Sequence, residues 1–173
     1  MITTAQITCQ PLAGSYKEFV FNGPSSAEQW TWVKFEDEMY NETFGQFPGA
    51  PVVVSLSAHN DMFYVLTDSF LFEVNRDDLG KYTCYDFWDI GSTLKNVTFT
   101  PTGIAIFSND YHIFTTNGTF ESKQQIPTPL ELDMIQFQGW QENSLLIHAE
   151  VFIEGRPMLL LLDATTFTIS KYN

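Results

Sequence analysis

The stretch Val54-Ser55-Leu56-Ser57-Ala58-His59-Asn60-Asp61-Met62-Phe63-Tyr64-Val65-Leu66-Thr67-Asp68-Ser69-Phe70-Leu71-Phe72 falls without a gap on Lys95 to Ile113, 41 residues further along the chain. Leu56 meets Val97, Val65 meets Ile106, Leu66 meets Phe107, Thr67-Asp68 meets Ser108-Asn109, and Phe70 meets Tyr111. Each matched segment is a short run of aliphatic, aromatic and β-branched residues closed by a polar turn, which is the composition of a strand. Helical periodicity is hard to find, because the windows 14–21 and 133–141 are broken by Gly and aromatics before three turns are complete.

Working outward, the pattern divides the chain into four units. The second expects strands at 52–57, 62–67, 70–75 and 81–87, and the third at 97–100, 104–108, 111–115 and 119–123. Pro101-Thr102-Gly103, Asn109-Asp110 and Asn117-Gly118 fall between strands, as does Asp77-Asp78-Leu79-Gly80 in the second unit; Asn-Gly is a strong hairpin signal. The fourth unit runs from about Met134 to Tyr172, with strands at 145–152, 158–163 and 166–170 and a turn at Glu154-Gly155-Arg156-Pro157. The first expects strands at 6–12, 17–22, 30–35 and 43–47, with a loop at Pro24-Ser25-Ser26 and a junction at Phe47-Pro48-Gly49-Ala50-Pro51. In Trp30-Thr31-Trp32-Val33-Lys34-Phe35 both alternating faces are partly apolar, as in a strand packed between sheets.

A period of about 40 residues made of short strands resembles β-propeller repeats. The resemblance covers about 75 residues, from Val54 to about Ile147. It implies a single all-β domain over 1–173, an antiparallel repeat of about four short-stranded units; a β-sandwich or rolled meander is the alternative. Trp88-Asp89 is the one Trp-Asp pair and no Gly-His opens a unit, so the motifs of the Trp-Asp repeat are absent.

Twenty-one acidic residues against eight basic ones leave a net charge of −13. Such a surface repels nucleic-acid phosphates and anionic membranes and attracts a basic protein. Apolar residues make up 44% of the chain, too many for a disordered segment, yet the longest apolar run, Met158 to Leu162, cannot span a bilayer. With no basic leader followed by an apolar stretch, the expected location is the cytoplasm, where Cys9 and Cys84 would be buried thiols.

Catalytic signatures are thin. His59, His112 and His148 lie in or beside expected strands without metal-ligand spacing, and neither a nucleophile elbow nor a phosphate-cradling glycine loop occurs. No cofactor or metal is implied. Carboxylates are plentiful, but nothing distinguishes a general acid–base pair among them. The chain therefore reads as a non-enzymatic binding protein. Glu36, Asp37, Glu38 and Glu42 with Tyr40, and Asp77, Asp78, Asp86 and Asp89 with Tyr85 and Trp88, would form acidic loops with aromatic anchors for a basic partner. A small acidic protein of this profile is similar to bacterial immunity proteins, whose carboxylates would mimic phosphates and block a basic toxin such as a nuclease. The alternative is a small-ligand or carbohydrate binder, or an enzyme, with Trp30, Trp32 or Trp140 stacking on a sugar.

Overall fold

The computed structural model describes residues 1–12, 16–24, 27–116 and 118–172, and their side chains except that of Asp89. Ser25, Ser26 and Asn117, expected in turns, lie outside the described residues. The chain is all-β and propeller-like in its repeat: four four-stranded sheets follow one another along the sequence. Its contacts divide it into two compact units, Met1–Thr93 and Leu94–Asn173, each holding two sheets.

In the first unit, β5 (Pro51–Leu56), β6 (Met62–Thr67), β7 (Phe70–Asn75) and β8 (Tyr82–Asp86) form an antiparallel meander. The central strands β6 and β7 are buried on both faces, which explains their nearly unbroken apolar sequence. The expected last strand ends early, because 87–90 close into one helical turn, α1 (Phe87–Ile90).

The preceding sheet departs from the expected meander. It comprises β1 (Ile2–Thr8), β2 (Lys17–Val20), β3 (Trp30–Asp37) and β4 (Glu42–Pro48) in the order β1-β3-β4-β2, and β2 runs parallel to β4. This placement seats Phe21, which follows β2, on Phe47 of β4, with ring centroids 4.0 Å apart and nearly parallel planes. Phe35–Phe63 (5.2 Å) and Phe47–Phe72 (5.0 Å) then join the two sheets of this unit through a phenylalanine core. Each fully buried Phe contributes about 1.5–3 kcal/mol of transfer free energy, so the β2 position is set by aromatic burial. Cys9, just past β1, is exposed rather than buried, and Cys84 is half-buried; neither forms a disulfide among the described residues. The chain has already left the sheet at Cys9, so nothing covers it with strand neighbours.

In the second unit, β9 (Asn96–Phe99), β10 (Ala105–Ser108), β11 (Ile113–Thr115) and β12 (Gln124–Ile126) form one meander. β13 (Leu132–Gln141), β14 (Ser144–Val151), β15 (Arg156–Asp163) and β16 (Ile169–Lys171) form the other. Their shared core is aliphatic, led by Ile106, Ile113, Ile126, Leu145, Ile147, Leu160 and Leu162. Polar pins cross between the sheets: Asn96 donates to the Ile135 carbonyl (2.9 Å), and the Trp140 indole donates to Thr98 (3.0 Å). The strand expected at 119–123 is a 3₁₀ turn, Phe120–Ser122, which buries Phe120 on Phe107 (4.9 Å) and delays β12 to Gln124. β11 likewise starts late, because Asn109 Oδ1 holds the Tyr111 and His112 amides (2.8 and 2.6 Å) inside the turn. Among the described residues no helix is long and apolar enough to cross a membrane.

Candidate functional site

One end of the first unit gathers two of the acidic segments expected from sequence. The β3–β4 turn is closed by Asp37, whose Oδ1 accepts from the Met39 and Asn41 amides (2.8 and 2.9 Å) while both carboxylate oxygens accept from the Asn41 side chain. The turn holds Tyr40 at φ 61° and leaves Met39 and Tyr40 78% and 82% exposed. In the β7–β8 connection Asn75 Oδ1 accepts from the Asp77 and Asp78 amides, and Asp78 accepts from Gly80 N. Asp37, Asp77 and Asp78, with Lys17, Thr43 and Arg76, line a cleft of about 280 Å³.

Several of these charges have local partners. Lys34 forms an ion pair with Glu42, Lys81 stands 3.6 Å from Asp78, and the terminal amine stands 3.8 Å from Asp77. Glu36 sits half-buried at the end of β3, where its carbonyl accepts from Thr3. The Glu38 carboxylate has no hydrogen-bond or ion-pair partner among the described residues. The turn thus presents one unpaired carboxylate, one thioether and one phenol on a rigid tip.

Hydrogen bonds from the Asn41 side chain, then from the Asn41 and Met39 amides, hold the Asp37 carboxyl below its ordinary pKa. The amides and hydroxyl of Thr166 and Thr165 do the same for Asp163 in the β15–β16 turn. A folded pKa below the unfolded one stabilises the protein above the unfolded value, and the gain is lost as pH falls through the folded value. Asp37→Asn and Asp163→Asn should therefore each flatten the loss of thermal stability below about pH 4. Melting curves from pH 7 to pH 2.5 check this; parallel acid limbs for variants and parent would contradict it.

The remaining expected residues are elsewhere. β7 and β8 pair from Val74–Tyr82 to Phe70–Asp86, which puts Asp86 at the far end of the sheet from Asp77, roughly 13 Å along the strand at about 3.3 Å per residue. Trp88 on α1 is 93% exposed and Asp86 is half-buried, while the Asp89 side chain lies outside the described residues. Tyr85 is not a surface anchor. It is buried, and its hydroxyl donates to Glu73 Oε2 (3.0 Å), while Tyr64 donates to Glu73 Oε1 (2.7 Å). A buried carboxylate needs such donors, since desolvating it unpaired would cost several kcal/mol. The acidic loops expected from sequence thus lie at opposite ends of a sheet, and Tyr85, expected as an aromatic anchor beside them, is buried.

Of the three tryptophans considered for stacking on a sugar, two are absorbed by packing. Trp32 is buried with its ring edge-on to Tyr16, Trp140 is tied to Thr98, and Trp30 is 43% exposed. Among the described residues no three His, Cys, Asp or Glu side chains are grouped to hold a metal ion.

The second unit holds a cavity that the sequence did not suggest. Tyr111, His112, Gln125, Thr128, Glu131, Leu132 and Phe152 line a space of about 390 Å³. The Tyr111 and Phe152 rings meet edge-on at 6.2 Å and 85°, and the Phe152 amide donates to the Glu131 carbonyl (2.9 Å). The available signal was Tyr111 itself: its repeat partner Phe70 is 2% exposed, whereas Tyr111 is 49% exposed.

No family model matches the sequence, and no curated protein sequence matches it. Among solved structures the chain is similar to virginiamycin B lyase from Staphylococcus aureus, at 14% identity and a TM-score of 0.47. That match covers 85% of this chain, which spans about half (53%) of the lyase chain. A likeness this distant carries no argument about chemistry.

Proposed function

We propose that the chain is a non-enzymatic protein-binding module that receives a basic partner at the acidic end of its first unit. The observation that supports this reading is the β3–β4 turn. It projects Tyr40 and Met39 into solvent on a backbone fixed by Asp37, with Glu38 unpaired beside them and the Asp37–Asp77–Asp78 cleft behind. A large amphipathic side chain held rigid among carboxylates matches the anatomy of an interface anchor, in which aromatics supply affinity and charges supply orientation and encounter rate. The net charge of −13 adds long-range attraction for a cationic surface. Within this class the finer reading is an immunity protein, its carboxylates standing where the phosphates of a nuclease substrate would lie.

The test is capture of a partner from the source organism, followed by affinity measurement against defined variants. The partner should be basic, and its affinity should fall as salt rises. The double variant Glu38→Lys/Tyr40→Ala should weaken it about tenfold or more. Retained affinity in that variant would exclude this end of the molecule as the interface. Inhibition of the captured protein's nuclease activity would test the finer reading.

A further inference from the structure

The cavity of the second unit is chemically unlike the acidic turn, and its reading does not depend on the one above. Two aromatic rings, Tyr111 and Phe152, form a right-angled corner at 6.2 Å, and the His112 ring stands 6.5 Å from Tyr111. Glu131, on the β12–β13 connection, shares the lining with them, together with Gln125, Thr128 and Leu132. The pocket lining contains neither Lys nor Arg. Bases close to it in the chain are engaged elsewhere: Lys95 faces Asp110 at 3.8 Å, Lys123 lies over the Phe120 ring at 4.8 Å, and Arg156 faces Glu154 at 3.3 Å. Glu131 has no ion-pair partner among the described residues.

Aromatic faces attract cations through their ring quadrupole, and a neighbouring carboxylate adds direct charge attraction. An apolar floor favours the alkyl stem that carries such a head group. The volume, about 390 Å³, lies within the range of small-ligand pockets, roughly 300–1,000 Å³, and exceeds what a bare metal ion needs. We infer that this cavity binds an organic cation, an alkyl stem ending in a guanidinium or ammonium group, with the head between Tyr111, Phe152 and Glu131. The cation has two sources, a free small molecule or an Arg or Lys side chain of a partner protein.

Titration of the full chain with n-butylguanidinium, followed by amide chemical shifts, tests the inference directly. Saturable shifts confined to residues around 111–112, 131–132 and 152 are expected. The neutral isostere n-butylurea should bind about tenfold more weakly, and Glu131→Gln and Phe152→Ala should each weaken the guanidinium probe about fivefold or more. Both residues are exposed, so the remaining spectrum should stay unchanged. Equal binding of the urea, or shifts that map elsewhere, would overturn the inference. A parallel titration with acetyl-Gly-Arg-Gly-amide separates the sources: affinity at least equal to butylguanidinium assigns the pocket to a partner's side chain, and exclusion of the peptide assigns it to a free cation. Glu38→Lys/Tyr40→Ala should leave these titrations unaltered, which keeps failure at the acidic turn distinct from failure here.

Discussion

Gly49→Ala is expected to cost about 3–5 kcal/mol, roughly a fifth or more of the stability of an ordinary domain. Gly49 sits at φ 102°, outside the range that an L side chain tolerates. Space is a second, independent obstacle. A methyl group there would land on the Thr67 hydroxyl, 2.7 Å from Thr67 Cβ and 2.8 Å from Asp68 Oδ1. Thr67 cannot retreat: it is fully buried, and its hydroxyl accepts from Phe70 N (3.0 Å) and donates to Phe70 O (3.2 Å), closing the β6–β7 turn. Gly49 is also fixed from its own side, its carbonyl accepting from Thr31 (2.7 Å) and its amide donating to Gln29 O (2.8 Å). Gly91 provides the control, since it too has a positive φ (75°) but nothing within 4 Å of an added methyl. Its alanine variant should lose only about 1 kcal/mol. Urea unfolding of the two variants measures the difference, and equal midpoints would show that space at Thr67 is not limiting.

Arg76→Ala should be comparably damaging, about 3–5 kcal/mol. Arg76 is 6% exposed, and its guanidinium donates to three carbonyls: Ile2 (2.9 Å), Ser57 (2.7 Å) and Asn60 (3.1 Å). Its backbone adds two more bonds, accepting from Ile2 N (2.8 Å) and donating to Asp61 O (2.9 Å). One side chain therefore ties β1 to the β5–β6 turn and to the end of β7. Truncation would remove all three of these bonds at once from partly buried carbonyls. Arg76→Lys should recover little, because a single ammonium cannot reproduce the planar fork that serves separated acceptors. Denaturant unfolding and amide exchange at Ile2 check both variants; a lysine variant as stable as the parent would contradict this account.

The 41-residue offset located the middle of the chain well because β6 and β7 are buried on both faces, so their apolar runs end sharply at 62–67 and 70–75. Turn chemistry was partly readable. Asn109, expected in a turn, accepts from the Tyr111 and His112 amides, whereas Asp37, Asn75 and Asp163, not singled out as turn residues, close their turns by the same local bonding. The order of the first sheet was not legible, since it depends on Phe21 reaching Phe47, a contact that no local pattern encodes. The fate of Tyr85 had a signal that could have been used. Glu73 interrupts Phe70-Leu71-Phe72-Glu73-Val74, and a lone acid inside a buried run demands hydroxyl donors, which Tyr64 and Tyr85 supply. Tyr111, Glu131 and Phe152 lie on three separate connections and share no spacing; β13–β14 pairing brings Glu131 to Phe152, and packing of one sheet on the other brings Tyr111 to the Phe152 ring.

The order β1-β3-β4-β2 also bears on how the chain acquires its structure. The second sheet is a succession of hairpins, each closable as soon as its turn exists. In the first, only β3 and β4 can close that way. β1 must wait for β3, joining Ile2 to Asp37, and β2 must wait for β4, joining Lys17 to Thr43. Loop closure over such separations is entropically slow compared with hairpin formation. On a ribosome, β1 and β2 would be made well before their partners β3 and β4, and the Phe21 ring would stay exposed until β4 emerged.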